Sequence, residues 1–135
     1  MFSIKVSPRF GDMDVLGHIN NTVLPMWFEL GRNPFFKIFA PQKAFTDGTF
    51  MLIMAHIEFD FLAELHFGEE VEIRTWVKRI GTKSFTVYHE AWQADKRCVK
   101  GDAVIVHYDF TAKVTTPIPE EKKLLLAEHL LPPGC

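Results

Sequence analysis

Between Asp12 and Asn21 the chain places two carboxylates (Asp12, Asp14), a Gly17-His18 pair and two adjacent amides (Asn20, Asn21), just ahead of a strongly apolar run. If that run is a helix, its start presents N–H groups without intrahelical partners and the positive end of the helix dipole. A carboxylate beside such donors suits attack on a carbonyl: it supplies a base or a nucleophile, and the N–H groups hold the developing oxyanion. Hydrolysis of an acyl bond is the first chemistry this spacing suggests. Each residue also has a structural use. Asp14 suits an Asx turn or a cap, and Asp12 suits holding the loop through side-chain to backbone bonds. His18 suits either a loop histidine bonded to backbone or a group that orients the reacting atoms. Asn20 or Asn21 suits an N-cap as well as it suits holding a water.

Other chemistries find little support. There is no Gly-x-Ser-x-Gly elbow and no glycine-rich phosphate loop. His, Cys and carboxylates nowhere take up metal-ligand spacing, so no metal and no cofactor is expected. The net charge of −2 argues against general nucleic-acid binding. Cys98 and Cys135 lie far apart and read as free thiols of a reducing compartment, with Cys135 exposed at the end of the chain. No basic segment followed by an apolar run opens the sequence, and no apolar run is long enough for a bilayer, so a cytoplasmic protein without membrane contact is expected.

The 135 residues fit one domain, 1–135, of ordinary composition apart from 13 Phe. Those rings suggest a broad aromatic core, an apolar ligand tunnel or a subunit interface. Phe2, Ile4 and Val6 alternate with Ser3 and Lys5, as in a half-buried strand bounded by Pro8. Leu24, Trp27, Phe28, Phe35, Ile38 and Phe39 fall on one helical face. Gly31 lies on the same stripe, where it would let the helix sit close against a sheet. Asn33-Pro34 predicts a break and restart, with Asn33 capping a last short piece that Pro41 ends. Glu29 and Arg32, one turn apart, suit an ion pair or a subunit contact.

The rest reads as strand. Residues 50–61 are apolar nearly throughout, as in a strand covered on both faces. Alternation marks 69–80, 83–93 and 98–112, with a turn at Gly81-Thr82 and a polar tip over Ala94–Arg97. His89 and His107 read as half-buried sheet positions. A short amphipathic helix is expected over about 120–130, closed by Pro132-Pro133. One helix packed across a curved antiparallel sheet accounts for this order. Its edge strand would be hidden by a second copy, giving a homodimer or homotetramer.

The pattern Asp12-x-Asp14-x-x-Gly17-His18-x-Asn20-Asn21, followed by Trp27-Phe28-Glu29-x-Gly31-Arg32, resembles the hotdog-fold acyl-CoA thioesterases of the 4-hydroxybenzoyl-CoA thioesterase type. More closely, it resembles their small bacterial subgroup with Gly-His-x-Asn-Asn. Gly68-Glu-Glu-Val and Gly81-x-Lys83-Ser84-Phe85 extend the likeness over nearly the whole chain.

The resemblance implies an α+β hotdog fold: one long helix wrapped by a curved five-stranded antiparallel sheet, plus a short C-terminal helix. It makes Asp14 the catalytic carboxylate, as nucleophile or general base, with the backbone N–H near Asn21 as oxyanion donor. His18 joins them as a candidate. Toward the substrate it nominates Lys83, beside Ser84, for a CoA phosphate. A solvated turn lysine is the alternative there, and Lys78, Arg79, Lys96 and Arg97 are other candidates. Leu24 stands where many relatives carry Tyr, which alters the acyl pocket. His56 reads as a buried strand histidine or as one that faces the acyl group in a site formed between two subunits. The implied substrate is an aliphatic or aromatic acyl-CoA. An acyl group on a carrier protein is the alternative, and a non-catalytic acyl-binding module is the rival from another class.

Overall fold

A computed structural model describes residues 1–39 and 51–134. Strand β1 is Phe2–Val6. Two 3-10 turns, Phe10–Asp12 and Asn21–Val23, frame the polar motif. The second turn runs straight into helix α1, Leu24–Phe39. Four long strands follow: β2 (Leu52–Phe61), β3 (Val71–Ile80), β4 (Ser84–Gln93) and β5 (Lys96–Asp109). A two-residue β6, Val114–Thr115, and helix α2, Glu120–Ala127, complete the described chain.

The strands form one antiparallel sheet in the order β1-β3-β4-β5-β2, with β6 added on β5. Alternation assigns the faces. Val71, Ile73 and Val77 of β3, Phe85, Val87 and Ala91 of β4, and Ala103 and Ile105 of β5 point inward and are buried. Helix α1 lies on that face with Leu24, Trp27, Phe28 and Phe35 buried. Each such side chain contributes roughly 1.5–3 kcal/mol. Gly31 is the point of closest approach: an added Cβ would lie 2.8 Å from Thr75 Oγ1 and 2.9 Å from Ile73 Cγ2. This is the helix wrapped by a sheet that the resemblance implies, with the short terminal helix in place.

Several local expectations need correction. No break occurs at Asn33-Pro34, since α1 runs through Pro34. Pro34 withholds the N–H that would reach the Leu30 carbonyl. Leu30 is on the exposed side, where water can replace that donor. The polar tip shrinks to a two-residue turn, Ala94-Asp95, with φ of 51° and 60°. Positive φ at both central residues is the hairpin turn whose twist matches its strands, so β5 starts at Lys96. The strand expected to be covered on both faces is instead an edge strand beside β5, with most of its residues exposed. An edge strand has one neighbour, and Ile53, Met54 and Phe61 stay exposed among the described residues. The expectations for Pro41, for Phe50 as part of the strand and for Cys135 lie outside the described residues.

Candidate active site

The motif loop is held by its own polar groups. Asp12 is buried, and its carboxylate accepts from the Arg9 N–H (2.8 Å) and guanidinium (3.1 Å). Burial pushes the Asp12 carboxyl up, but the bonds and charge of Arg9 outweigh it and hold the group below its ordinary range. The Asp12 carbonyl takes the Asn20 N–H at 2.8 Å. Asn20 in turn caps the following turn, its side chain accepting from Thr22 N at 3.0 Å. Asp12 thus holds the loop and Asn20 caps the turn that follows.

Asp14 has a different surrounding. Its Oδ1 accepts from the N–H groups of Leu16 (2.9 Å) and His18 (3.2 Å). Its own N–H reaches the His18 carbonyl at 2.8 Å. Gly17, at φ 80°, lets the chain fold back over the carboxylate. Oδ2 has no partner among the described residues. Asn21 opens the turn that leads into α1; its N–H likewise has no partner among them.

Asp14, His18, Asn21 and Leu24 line one groove of about 960 Å³. Its floor is apolar, with Ile19, Leu24, Leu65, Cys98 and Val99. Its far wall is the segment before β3, which sequence reasoning missed. His18 forms an isolated antiparallel bridge with His66, and Ile19 N donates to the Leu65 carbonyl at 2.8 Å. Buried Gln93 fixes that segment: its side chain accepts from His66 N (2.9 Å) and donates to the carbonyls of His66 (2.8 Å) and Glu69 (3.0 Å). Glu64 reaches across to His18, Oε2 to Nε2 at 3.1 Å. Gln93 left a trace in the sequence, because it continues the inward alternation of Phe85, Val87 and Ala91 on β4 with a polar side chain, as His89 does. Glu64 and His66 left none.

The other nominated residues stand elsewhere. His56 pairs in register with Val104, while its neighbour Ile57 pairs with inward Ala103. That puts His56 on the outer face, where it is 3.7 Å from Glu58 and more than half exposed. The default of a buried strand histidine is thus corrected: the strand is an edge, and His56 is on its open face. Ser84 starts β4 opposite Val106, and Lys83 precedes it; neither lines the groove. Lys96 does, as its one Lys or Arg among the described residues.

Two more readings change under α1. Arg32 does not pair with Glu29. It is 1% exposed, and one guanidinium nitrogen lies 3.2 Å from His89 Nε2, while Nε has no partner. Burial pulls its pKa down to about 10, with the Glu29 charge opposing. His89 is fully buried, not half-buried, stacked on Phe28 at 4.7 Å and 3.3 Å from Thr75 Oγ1. His107 is also buried and bonds Thr116 Oγ1 at 2.7 Å. Among the described residues no group of three or more His, Cys, Asp and Glu could hold a metal ion, and no helix is long and apolar enough to cross a membrane.

Comparison with known proteins fits this geometry. Residues 8–128 match the model of the thioesterase-like superfamily. The uncharacterized protein YsmA of Bacillus subtilis (strain 168) is 28% identical over 127 residues, 93% of this chain and 85% of that protein. A predicted thioesterase from Bacillus stearothermophilus superimposes with a TM-score of 0.92 at 35% identity, over 98% of both chains. A thioesterase from Thermus thermophilus, solved with coenzyme A and Zn, gives 0.81 at 27% identity, over 93% of this chain and 91% of that one.

Proposed function

The chain belongs to the thioesterase-like superfamily with a hotdog fold and is a thioester hydrolase; from that premise we propose that it cleaves an acyl-CoA to free acid and CoA, with Asp14 as its catalytic carboxylate. The observation that carries this reading is the shared groove: Asp14, with its half-bonded carboxylate, and Asn21, at the helix start, line one cavity with an apolar floor. The acyl chain lies on that floor, against Leu24. The thioester oxygen accepts from the Asn21 N–H, which strengthens its hold as negative charge develops. Asp14 then either takes a proton from an attacking water or attacks the carbonyl carbon itself. The C–S bond breaks and the thiolate leaves without needing a strong acid. In the second route water cleaves the resulting anhydride.

The coenzyme A of the Thermus relative supports CoA as the thiol. A carrier-protein thioester is a second reading, favoured by the groove's scarcity of cations, since Lys96 alone offers a phosphate contact there. We place Lys83, Ser84 and His56 in the substrate path only through a second subunit. The working unit is a homodimer in which a second copy covers the exposed apolar positions of β2 and closes the groove. A homotetramer would pair two such dimers. Light scattering reports which assembly forms.

Thiol release over a panel of acyl-CoAs and acyl-carrier proteins tests the reaction. Asp14→Asn should lower kcat/KM by about 10²-fold or more. Unchanged turnover in that variant would remove Asp14 from the chemistry. No turnover of any substrate by the folded wild type would leave an acyl-binding module. A single turnover in H₂¹⁸O separates the routes, since only the anhydride route can leave label in the Asp14 carboxylate.

A further inference from the structure

Glu64 and His18 sit in contact inside the groove without an evident structural reason. Their side chains are 62% and 28% exposed, and an ion pair so open to water contributes little to stability, about 0–1 kcal/mol. Nor does the backbone need it. The His18 main chain is already fixed by Asp14 on one side and by the bridge to His66 on the other. What Glu64 adds is a constraint on the imidazole alone. The His66 ring meets it edge-on at 5.3 Å, and the Glu64 carboxylate takes Nε2 at 3.1 Å.

That contact has a chemical consequence. A carboxylate only accepts, so Nε2 carries the proton, and in the neutral ring Nδ1 is then an acceptor. Nδ1 has no partner among the described residues. The same loop holds Asp14, whose Oδ1 is bonded to the His18 N–H while Oδ2 has no such partner. Asp14 and His18, on one short loop, both line one cavity, and each has an acceptor atom without a partner among the described residues. A water between them could give one proton to each as hydrogen bonds, which would leave its lone pair for a carbonyl carbon.

Resting on the hydrolase reading above, we propose that Glu64 is a positioning residue: it fixes His18 as the Nε2–H tautomer, so that Nδ1 orients the hydrolytic water beside Asp14. The order of events is then set. Water attacks the acyl carbon, the proton passes to the Asp14 carboxylate, and His18 keeps its own proton on Nε2 throughout. Among the described residues, the charged and titratable groups that line the groove with His18 are Asp14 on its own loop and Glu64 and His66 across the groove, with Glu69, Lys96 and Cys98.

Two measurements on the full chain test this. The first needs no turnover: long-range ¹H–¹⁵N spectra of the histidine rings. The expected wild-type signature is an Nε2-protonated His18, lost to a tautomer mixture in Glu64→Ala. A His18 that is Nδ1-protonated in the wild type, or unmoved by Glu64→Ala, overturns the proposal whatever the protein hydrolyses. The second is a kinetic cycle. Glu64→Ala should lower kcat by about 10- to 100-fold, with KM changed less than about twofold and the melting temperature unmoved. In a His18→Ala background the same substitution should cost nothing further. Independent, additive losses would mean that Glu64 acts without His18 and would also overturn it. Absence of any turnover, with the tautomer signature intact, would instead count against the hydrolase reading alone.

Discussion

Gly31→Ala isolates the contact that sets α1 against the sheet. On a free helix the change is favourable, by about 1 kcal/mol, because glycine has more backbone freedom to lose. Here the added methyl would sit 2.8 Å from Thr75 Oγ1 and 2.9 Å from Ile73 Cγ2, against an ordinary carbon contact of about 3.5–4.0 Å. Both obstacles are fully buried β-branched residues of β3, stiff at χ1. They cannot swing aside, so the helix must lift by several tenths of an ångström. Overpacking of this kind costs about 1–3 kcal/mol. Thr75 is also 3.3 Å from His89 Nδ1, and disturbing a buried hydrogen bond costs about 1–3 kcal/mol more. The net expectation is a loss of about 2 kcal/mol, or roughly 6–8 °C in melting temperature for a domain of this size. Urea titration with a fitted m-value measures it. Part of the loss should return in a Thr75→Ala background, where one of the two obstacles is gone. A neutral or stabilised Gly31→Ala would refute the close approach as a determinant of the fold.

Two further substitutions follow from the same packing. Gly101 of β5 faces Phe59 of β2, and an added Cβ would fall on the Glu58 carbonyl oxygen, with Phe28 Cε2 3.3 Å away. Backbone cannot yield as a side chain does, so Gly101→Ala should cost more than Gly31→Ala, about 3 kcal/mol or more, and should loosen β2; denaturation and hydrogen exchange of β2 read both effects. His89 is held well below its ordinary value by burial first and the Arg32 charge second. The unfolded chain therefore binds a proton near pH 6.5 that the folded chain refuses, and stability falls on acidification below that point by up to about 1.4 kcal/mol per pH unit. The carboxyls of Asp12, Glu72 and Glu90 are also held low, but their contributions fade only below about pH 4. Urea melts should lose about 2 kcal/mol between pH 7 and pH 5. His89→Gln should leave only the part due to half-buried His129, which is also held low; an undiminished slope would assign the effect to other groups.

What was legible in the sequence divides by the range of the interaction. Gly31 could be read because its meaning is local: it falls on a stripe with Leu24, Trp27, Phe28 and Phe35, and helical geometry alone says that the stripe meets the sheet. The Asp14 turn could be read for the same reason, since its partners Leu16 and His18 lie within a few residues. The long strands were legible in their alternation, and their ends less so. Ala94-Asp95 adopts a turn that usually needs Asn or Gly, so nothing in its residue types marked a loop that short. The apolar run of β2 marked a strand but misled about its cover, because no periodicity tells whether a strand lies at the centre or the edge of its sheet.

Arg32 shows where a local rule gave way to a wider one. Its spacing from Glu29 suggested an ion pair or a subunit contact, yet position 32 follows Phe28 by four and precedes Phe35 by three, which puts it on the buried stripe. The rule of i,i+3 pairing describes what two exposed side chains do; it does not decide whether they are exposed. The deciding fact was on other strands. Thr75 and His89 occupy inward positions opposite each other, paired in register on β3 and β4, so the sheet offers a polar spot where the helix brings a guanidinium. The groove is assembled in the same way. Asp14 and Asn21 come from one continuous motif, whereas Glu64 and His66 reach it through long-range contacts: Gln93 ties their segment down from β4, and the loop's own backbone bonds to it. On the proposed reading, a motif of this kind carries the catalytic carboxylate and the oxyanion donor in adjacent turns. The residue proposed to orient the ring beside them meets it through a long-range contact, and in the sequence it is one glutamate among many.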